Sequence, residues 1–243
     1  ATHSAMLRVS ESLQNTLPAV VWRVRALLDL DANPAAINAV LQTPFPAGDG
    51  LRVPGCVDGF ELAVRAILGQ QITVAAARTL AQRLVAYLGE PLETPYPDLN
   101  RLFPTPQALA NASPDTLGAM GIVRQRQKAL QAMAHAVISG AVVLSPHANP
   151  QTTVEALQAL PGIGPWTAQY IAMRALRWPD AWLVGDVALT KALGLPEHRS
   201  RETQREAEQR SQAWRPWRSY AVIRAWAGAA HPQPNPPPME PPL

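Results

Sequence analysis

The chain has 243 residues, 47% of them hydrophobic and 16% charged, which is enough apolar material for one large or two small cores. Its formal net charge is +3, and its 21 basic residues are all arginines apart from Lys128 and Lys191, a surplus that permits a polyanionic partner without arguing for one. The single cysteine, Cys56, excludes an intramolecular disulfide, a multi-cysteine zinc site and a cysteine-held iron–sulfur cluster within the chain. With no charged-then-apolar leader and no apolar run long enough to span a bilayer, the sequence reads as soluble and cytoplasmic, with no membrane partner.

Residues 1 to 15 carry little pattern. Ala5 to Ser10 has the look of one β-strand without a partner nearby, and the absence of an initiator methionine suggests the trailing edge of something longer. Helix then dominates. Thr16-Leu17-Pro18 opens a segment through Asp31, with Val20, Val21, Val24, Leu27 and Leu28 at helical spacing. Asn33-Pro34 caps a shorter helix, and Gly48 to Gly59 is a loop. Asp58 caps the next helix, whose broad apolar face includes Phe60, Leu62, Ile67 and Leu68. Gly69-Gln70-Gln71 interrupts it, and Thr73 to Leu88 resumes it until Gly89.

Pro91 to Pro106 is a proline-rich connector, expected to cross between two helical lobes. Thr105-Pro106 and Ser113-Pro114 each read as an N-cap followed by proline at the first helical position. Leu117 to Ile122 forms a weak hairpin signal, and a longer helix runs from Val123 to Ser139. Thr152 and Glu155 have capping-box spacing. Further helices are expected near Val187–Leu193, Arg201–Ala213 and Trp217–Ala229, and the tail 231–243, with seven prolines in thirteen residues, should be disordered. The expected class is all-α.

The densest signal is Leu160-Pro161-Gly162-Ile163-Gly164-Pro165-Trp166-Thr167-Ala168. Glycines flank one apolar residue, so the backbone can turn tightly and approach another surface, and Pro165 opens a second helix without losing a needed N–H. Free N–H groups at that helix start suit a phosphate oxygen. The segment 152–176 therefore looks like a helix-hairpin-helix, which holds DNA backbone without reading sequence, through Gly162, Ile163, Gly164 and Thr167. The same pattern also describes a tight turn between core helices with Ile163 as its plug.

This hairpin does not stand alone. Arg65-Ala66-Ile67-Leu68-Gly69-Gln70-Gln71, the Leu160–Ala168 stretch, Gly185-Asp186 and Trp214-Arg215-Pro216-Trp217-Arg218-Ser219-Tyr220 occur in that order. Together they resemble the helix-hairpin-helix DNA glycosylases, and within them the AlkA-type 3-methyladenine DNA glycosylase II group, from Leu17 to Ala230. Members of that family usually carry an α/β domain in front of the helical body. The resemblance thus implies that residues 1–15 are a remnant of such a domain, with one N-terminal strand, and that 16–230 is the glycosylase body of two helical lobes.

Breaking an N-glycosidic bond builds positive charge on the sugar, which a carboxylate can stabilise while orienting water. An alkylated purine is already cationic before it leaves, so it needs no acid to protonate it and one aspartate suffices. Asp186, after a glycine and before a helix, is the candidate catalytic residue, although a plain N-cap is the commonest role for Asp there. A cationic flipped base favours aromatic faces, worth about 0.5–2 kcal/mol each. Trp166 and Tyr170, four apart on one helix, and Trp226, which matches a family pocket residue, are the base-pocket candidates; all three could equally be core aromatics.

The resemblance places a lysine nucleophile of the bifunctional relatives at the position of Trp166, so it implies a monofunctional enzyme leaving an intact abasic strand. It places Gln71 at the wedge that fills the hole left by the flipped base, where a surface loop is the plainer reading. It further implies that no cofactor is required, that backbone carbonyls of Gln158, Leu160 and Ile163 could hold a monovalent cation, Na or K, and that the chain acts as a monomer on double-stranded DNA with alkylated bases, at the bacterial nucleoid. Two other classes fit parts of the sequence: a non-catalytic helix-hairpin-helix DNA-binding or damage-sensing module, and an all-α protein-interaction domain using its proline-rich tail.

Overall fold

The computed structural model describes residues 4–196 and 200–230. Among them the regular elements are all helical, as the pattern of apolar residues predicted, and no sheet forms. In chain order the helices are α1 (Leu17–Leu27), α2 (Pro34–Leu41), α3 (Gly59–Leu68), α4 (Val74–Leu88), α5 (Pro106–Ala110) and α6 (Pro114–Ala119). They continue as α7 (Arg124–Ile138), α8 (Pro150–Gln158), α9 (Pro165–Ala175), α10 (Val187–Ala192), α11 (Arg201–Ser211) and α12 (Arg218–Ala230). The proline-rich stretch 231–243, expected to be disordered, lies outside the described residues.

The chain divides into two units that interleave in sequence. The first comprises Ala1–Ala32 and Arg52–Trp178, the second Asn33–Leu51 and Pro179–Leu243. In the first, α7 packs on α3 and α5, and α9 packs on α3 and α8. Ile67, Leu84, Leu117, Leu130, Leu157 and Ile171 lose all solvent exposure there, each contributing about 1.5–3 kcal/mol. In the second, α10 packs on α12. Trp214 meets the ring of Phe45 edge-on at 5.2 Å and that of Trp182 at 6.0 Å, joining the early segment to the late helices of that unit.

Local capping explains where most helices begin. Asn33, Asp58, Thr73, Thr105 and Ser113 each accept the N–H three residues on, at 2.7–3.2 Å. Each such bond satisfies an otherwise orphaned donor and is worth about 1 kcal/mol. The first hairpin predicted at Leu117–Ile122 is real: Gly121 adopts φ +85° and Ile122, 2% exposed, turns back to donate to the Leu117 carbonyl at 3.2 Å.

Several expectations are corrected. Ala5–Ser10 forms no strand, because no second segment comes alongside to pair its N–H and C=O groups; a short 3-10 helix, Glu11–Thr16, follows instead. The helix from Leu17 ends at Leu27 rather than Asp31, since Asp29 turns left-handed (φ +51°) and its carboxylate accepts the Val53 N–H at 3.1 Å. Thr152 and Glu155 do not cap α8. Asn149 does, accepting from Gln151 and Thr152 at 3.0 and 3.2 Å, and with Pro150 following it leaves Thr152 inside the first turn. Pro91–Pro106 does not cross between units: it folds back within the first unit on the residues just after α4, through Leu102 N–H to Glu90 O (2.9 Å) and an isolated bridge between Pro91 and Arg101.

Candidate functional site

The second hairpin joins α8 to α9. Gly162 adopts φ +79°, a conformation that glycine alone enters freely, and a Cβ there would meet Ala129 at 3.2 Å. Ile163, 5% exposed, plugs the core of the first unit, and its N–H is taken by the Leu160 carbonyl at 3.2 Å. Gly164 is different. Its φ of −84° suits any residue, and an added Cβ would meet open space. Pro165 then starts α9, whose first turn carries no acidic residue to offset the partial positive charge of its N–H groups.

Thr167, grouped with the hairpin from sequence, is buried at 5% and its hydroxyl accepts from Gln70 Nε2 at 3.1 Å, so its side chain serves the fold. The same Gln70 amide donates to the Gly162 carbonyl at 3.0 Å. Gln71, next along, is exposed and left-handed (φ +56°) at the tip of the turn between α3 and α4. Gln158, Leu160 and Ile163 place their carbonyls at the end of α8 and in the hairpin, where a helix leaves acceptors without intrahelical donors. The Leu160 oxygen already accepts one N–H and keeps a second lone pair, so uncharged oxygen donors suited to a monovalent ion are present. Among the described residues no group of three or more His, Cys, Asp or Glu side chains converges.

On α9 the rings of Trp166 and Tyr170 stack, with centroids 5.2 Å apart and planes within 8°. Arg174, one turn further on, donates to the Tyr170 hydroxyl at 3.2 Å and stands 5.6 Å from the ring centroid. Its i+4 spacing from Tyr170 is the signal that would have found it. Burial first, then Asp58, push the Cys56 thiol up to about 11, so it stays protonated at neutral pH.

The second unit holds Asp186 and Trp226 together. Gly185 turns left-handed (φ +74°), and Asp186, 8% exposed, caps α10 by accepting the Leu189 N–H at 3.0 Å. Trp226 on α12 donates its Nε1–H to both carboxylate oxygens, at 3.1 and 3.2 Å. Sequence reading gave Trp226 a ring face to offer; the structure adds its N–H. The Trp214–Tyr220 motif sets this register. Arg218, 4% exposed, grips Asp180 through Nε to Oδ1 (2.7 Å) and Nη2 to the carbonyl (2.8 Å), with Arg215 pairing to the same carboxylate. Ser219 adds a bond from Ala181 N–H at 3.0 Å and donates its own N–H to Pro179 O at 2.9 Å. The segment leading to Asp186 is thus buckled to the start of the helix bearing Trp226. Trp166 and Tyr170 belong to the first unit, Asp186 and Trp226 to the second.

Comparison with known proteins bears on both units. Residues 64–218 match the HhH-GPD superfamily of base excision DNA repair proteins, and residues 1–58 match the AlkA N-terminal domain. The chain is 37% identical to DNA-3-methyladenine glycosylase 2 of Escherichia coli, over 93% of this chain and 77% of that one. It is 38% identical to a probable bifunctional transcriptional activator/DNA repair enzyme AlkA of Mycobacterium tuberculosis, spanning 98% of this chain but about half, 48%, of that relative. The fold resembles that of Clostridium acetobutylicum 8-oxoguanine glycosylase/lyase in its apo-form, with a TM-score of 0.70 at 19% identity over 90% and 76% of the two chains. A 3-methyladenine DNA-glycosylase from Archaeoglobus fulgidus gives 0.67 at 18% identity, covering 92% and 77%. By its motifs, its helical fold and these matches, the chain belongs to the HhH-GPD superfamily of base excision DNA repair proteins.

Proposed function

We propose that Asp186 is the catalytic carboxylate of a DNA glycosylase that releases alkylated, 3-methyladenine-like purines from duplex DNA. The observation that carries this reading is a buried carboxylate at a helix start, held through both oxygens by the Trp226 N–H. Names borne by the relatives, DNA-3-methyladenine glycosylase 2 among them, support the lesion class.

The chemistry follows from charge. In a cationic alkylated purine the glycosidic electrons withdraw readily into the base, so the C1′–N bond breaks without a second acid. Positive charge grows on the sugar, and the Asp186 carboxylate stabilises it. Water adds its oxygen at C1′ and gives a proton to the carboxylate; the products are a neutral free base and an abasic strand. The hairpin at Gly162–Gly164 holds a phosphate by backbone N–H groups, Gln71 fills the gap in the stack, and the Trp166 and Tyr170 rings offer faces to the cationic base. The carbonyls of Gln158, Leu160 and Ile163 are the donors for a monovalent cation, Na or K, that would stiffen the hairpin. With Trp166 where a lysine would attack, the enzyme is monofunctional. It works as a monomer on the bacterial nucleoid.

The deciding experiment is single-turnover excision from a methylated-purine duplex by wild type and Asp186→Asn, with melting curves for both. Asparagine caps helices about as well as aspartate. The expected result is an unchanged melt, near-normal DNA affinity and a rate at least roughly a hundredfold lower. The wild-type product should stay an intact abasic strand until alkali is added. A wild-type rate in the Asn variant reduces Asp186 to a cap and favours a damage sensor; borohydride trapping of a protein–DNA adduct overturns the monofunctional reading.

A further inference from the structure

We propose that Gln70 is a positioning residue that couples the phosphate-holding hairpin to the stack-filling residue next to it. The inference rests on the reading of Gly162–Gly164 as grip and Gln71 as plug. Its starting point is strain: Gln71 is held at φ +56°, in the left-handed region that disfavours any residue with a Cβ. A turn carrying that cost keeps one shape only if its neighbours hold it.

Two elements of the same unit do so. From one side Gln70 Nε2 donates to the Gly162 carbonyl (3.0 Å) and to the Thr167 hydroxyl (3.1 Å), residues 92 and 97 positions further along. From the other, Arg126 in the first turn of α7 donates Nη2 to the Gln70 carbonyl. The acceptors are themselves fixed. Thr167 is buried at 5% on α9, and Gly162 sits where an added Cβ would stand 3.2 Å from Ala129 of α7, the helix that also carries Arg126. One amide group therefore links the grip, through a single peptide, to the plug. When the hairpin closes on a phosphate, Gln71 is held in register with it, so the DNA backbone and the gap in its stack are engaged as a pair. The backbone-gripping N–H groups do not depend on Gln70, so the coupling concerns base extrusion rather than duplex binding.

A double-mutant cycle separates this from simple loop support. Gln70→Met keeps the length and volume of the side chain and removes both donors. Gln71→Ala removes the plug. Single-turnover excision and the fluorescence of 2-aminopurine beside the lesion are read for each and for the double variant, with undamaged-duplex affinity and melting as controls. Gln70→Met should lower excision by about ten- to a hundredfold and the fluorescence rise in step, as expected for a mispositioned group. Affinity for undamaged duplex should stay within about threefold. The double variant should be no worse than Gln71→Ala, because the first residue acts through the second. Wild-type excision in Gln70→Met, or a double variant slowed by the product of the two single effects, overturns the coupling. If Gln70→Met melts low, Thr167→Val, near-isosteric and lacking the acceptor, is put through the same cycle with the same criteria. A wild-type chain that releases no base sinks the glycosylase reading instead, and the 2-aminopurine cycle still decides the coupling.

Discussion

Gly121-Ile122-Val123 and Gly162-Ile163-Gly164 occupy the same place in two successive hairpins of the first unit, each between a short helix and a longer one. Both glycines are left-handed, at φ +85° and +79°. Both isoleucines are buried in the same core, at 2% and 5% exposure. Val123 and Gly164 then stand in extended backbone just before α7 and α9, neither giving a side-chain cap. Valine at this third position, 56% exposed, shows that the turn does not need a glycine there. The missing side chain of Gly164 is therefore not a requirement of the turn itself. The wiring differs too. The Ile122 carbonyl is satisfied from within its own hairpin by buried Gln127 (2.7 Å), whereas the Gly162 carbonyl receives Gln70 from the turn between α3 and α4. From outside, the first hairpin takes Arg83 of α4 at its Met120 carbonyl (3.2 Å), and the second takes Gln70.

The shared parts should matter equally to stability. Ile122→Ala and Ile163→Ala should each lose about 2–4 kcal/mol in urea unfolding. A large disparity would mean that only one hairpin is held by its plug. Next, Gly121→Ala and Gly162→Ala should each lose about 1–2 kcal/mol for the left-handed conformation. Gly162→Ala should lose more, since its new Cβ meets the Ala129 Cβ at 3.2 Å, while that of Gly121 meets the flexible end of Arg83 at 3.1 Å. The smallest effect is the sharpest. Gly164→Val should leave the melt nearly unchanged yet weaken duplex binding about tenfold, or ~1.4 kcal/mol; Val123→Gly should leave binding unchanged. If the Val123 variant shifts affinity as well, both hairpins grip.

What could be read in the sequence was what the chain decides within a few residues. Asp58, Ser113 and Asp186 announced themselves as caps because a short polar side chain reaches only two or three residues on. The same locality misled at Thr152 and Glu155, where an apt spacing lay inside a helix that Asn149-Pro150 had already begun. Ala5–Ser10 had strand-like residues but no partner, and pairing is never a property of one segment. Gln70 was legible only as a helix interruption, since its acceptors lie 92 and 97 residues away. Trp226 was read by its ring, while it reaches Asp186, 40 residues distant, through its N–H. The Trp214–Tyr220 motif was visible, but not its grip on Asp180, which depends on how the second unit folds.

The interleaving of the two units has a consequence for synthesis. Residues of the first unit are complete once Trp178 has been made, but the second needs Asn33–Leu51 together with everything from Pro179 onward. At ribosomal speed the gap between those pieces lasts on the order of ten seconds. Through that interval Ile37, Leu41 and Phe45, buried in the finished fold, must wait for Trp214 and Arg224 to emerge. The nascent chain thus carries a sticky loop of its second unit while the rest of that unit is still being made, and chaperone contact during translation should concentrate on α2 and the residues just after it.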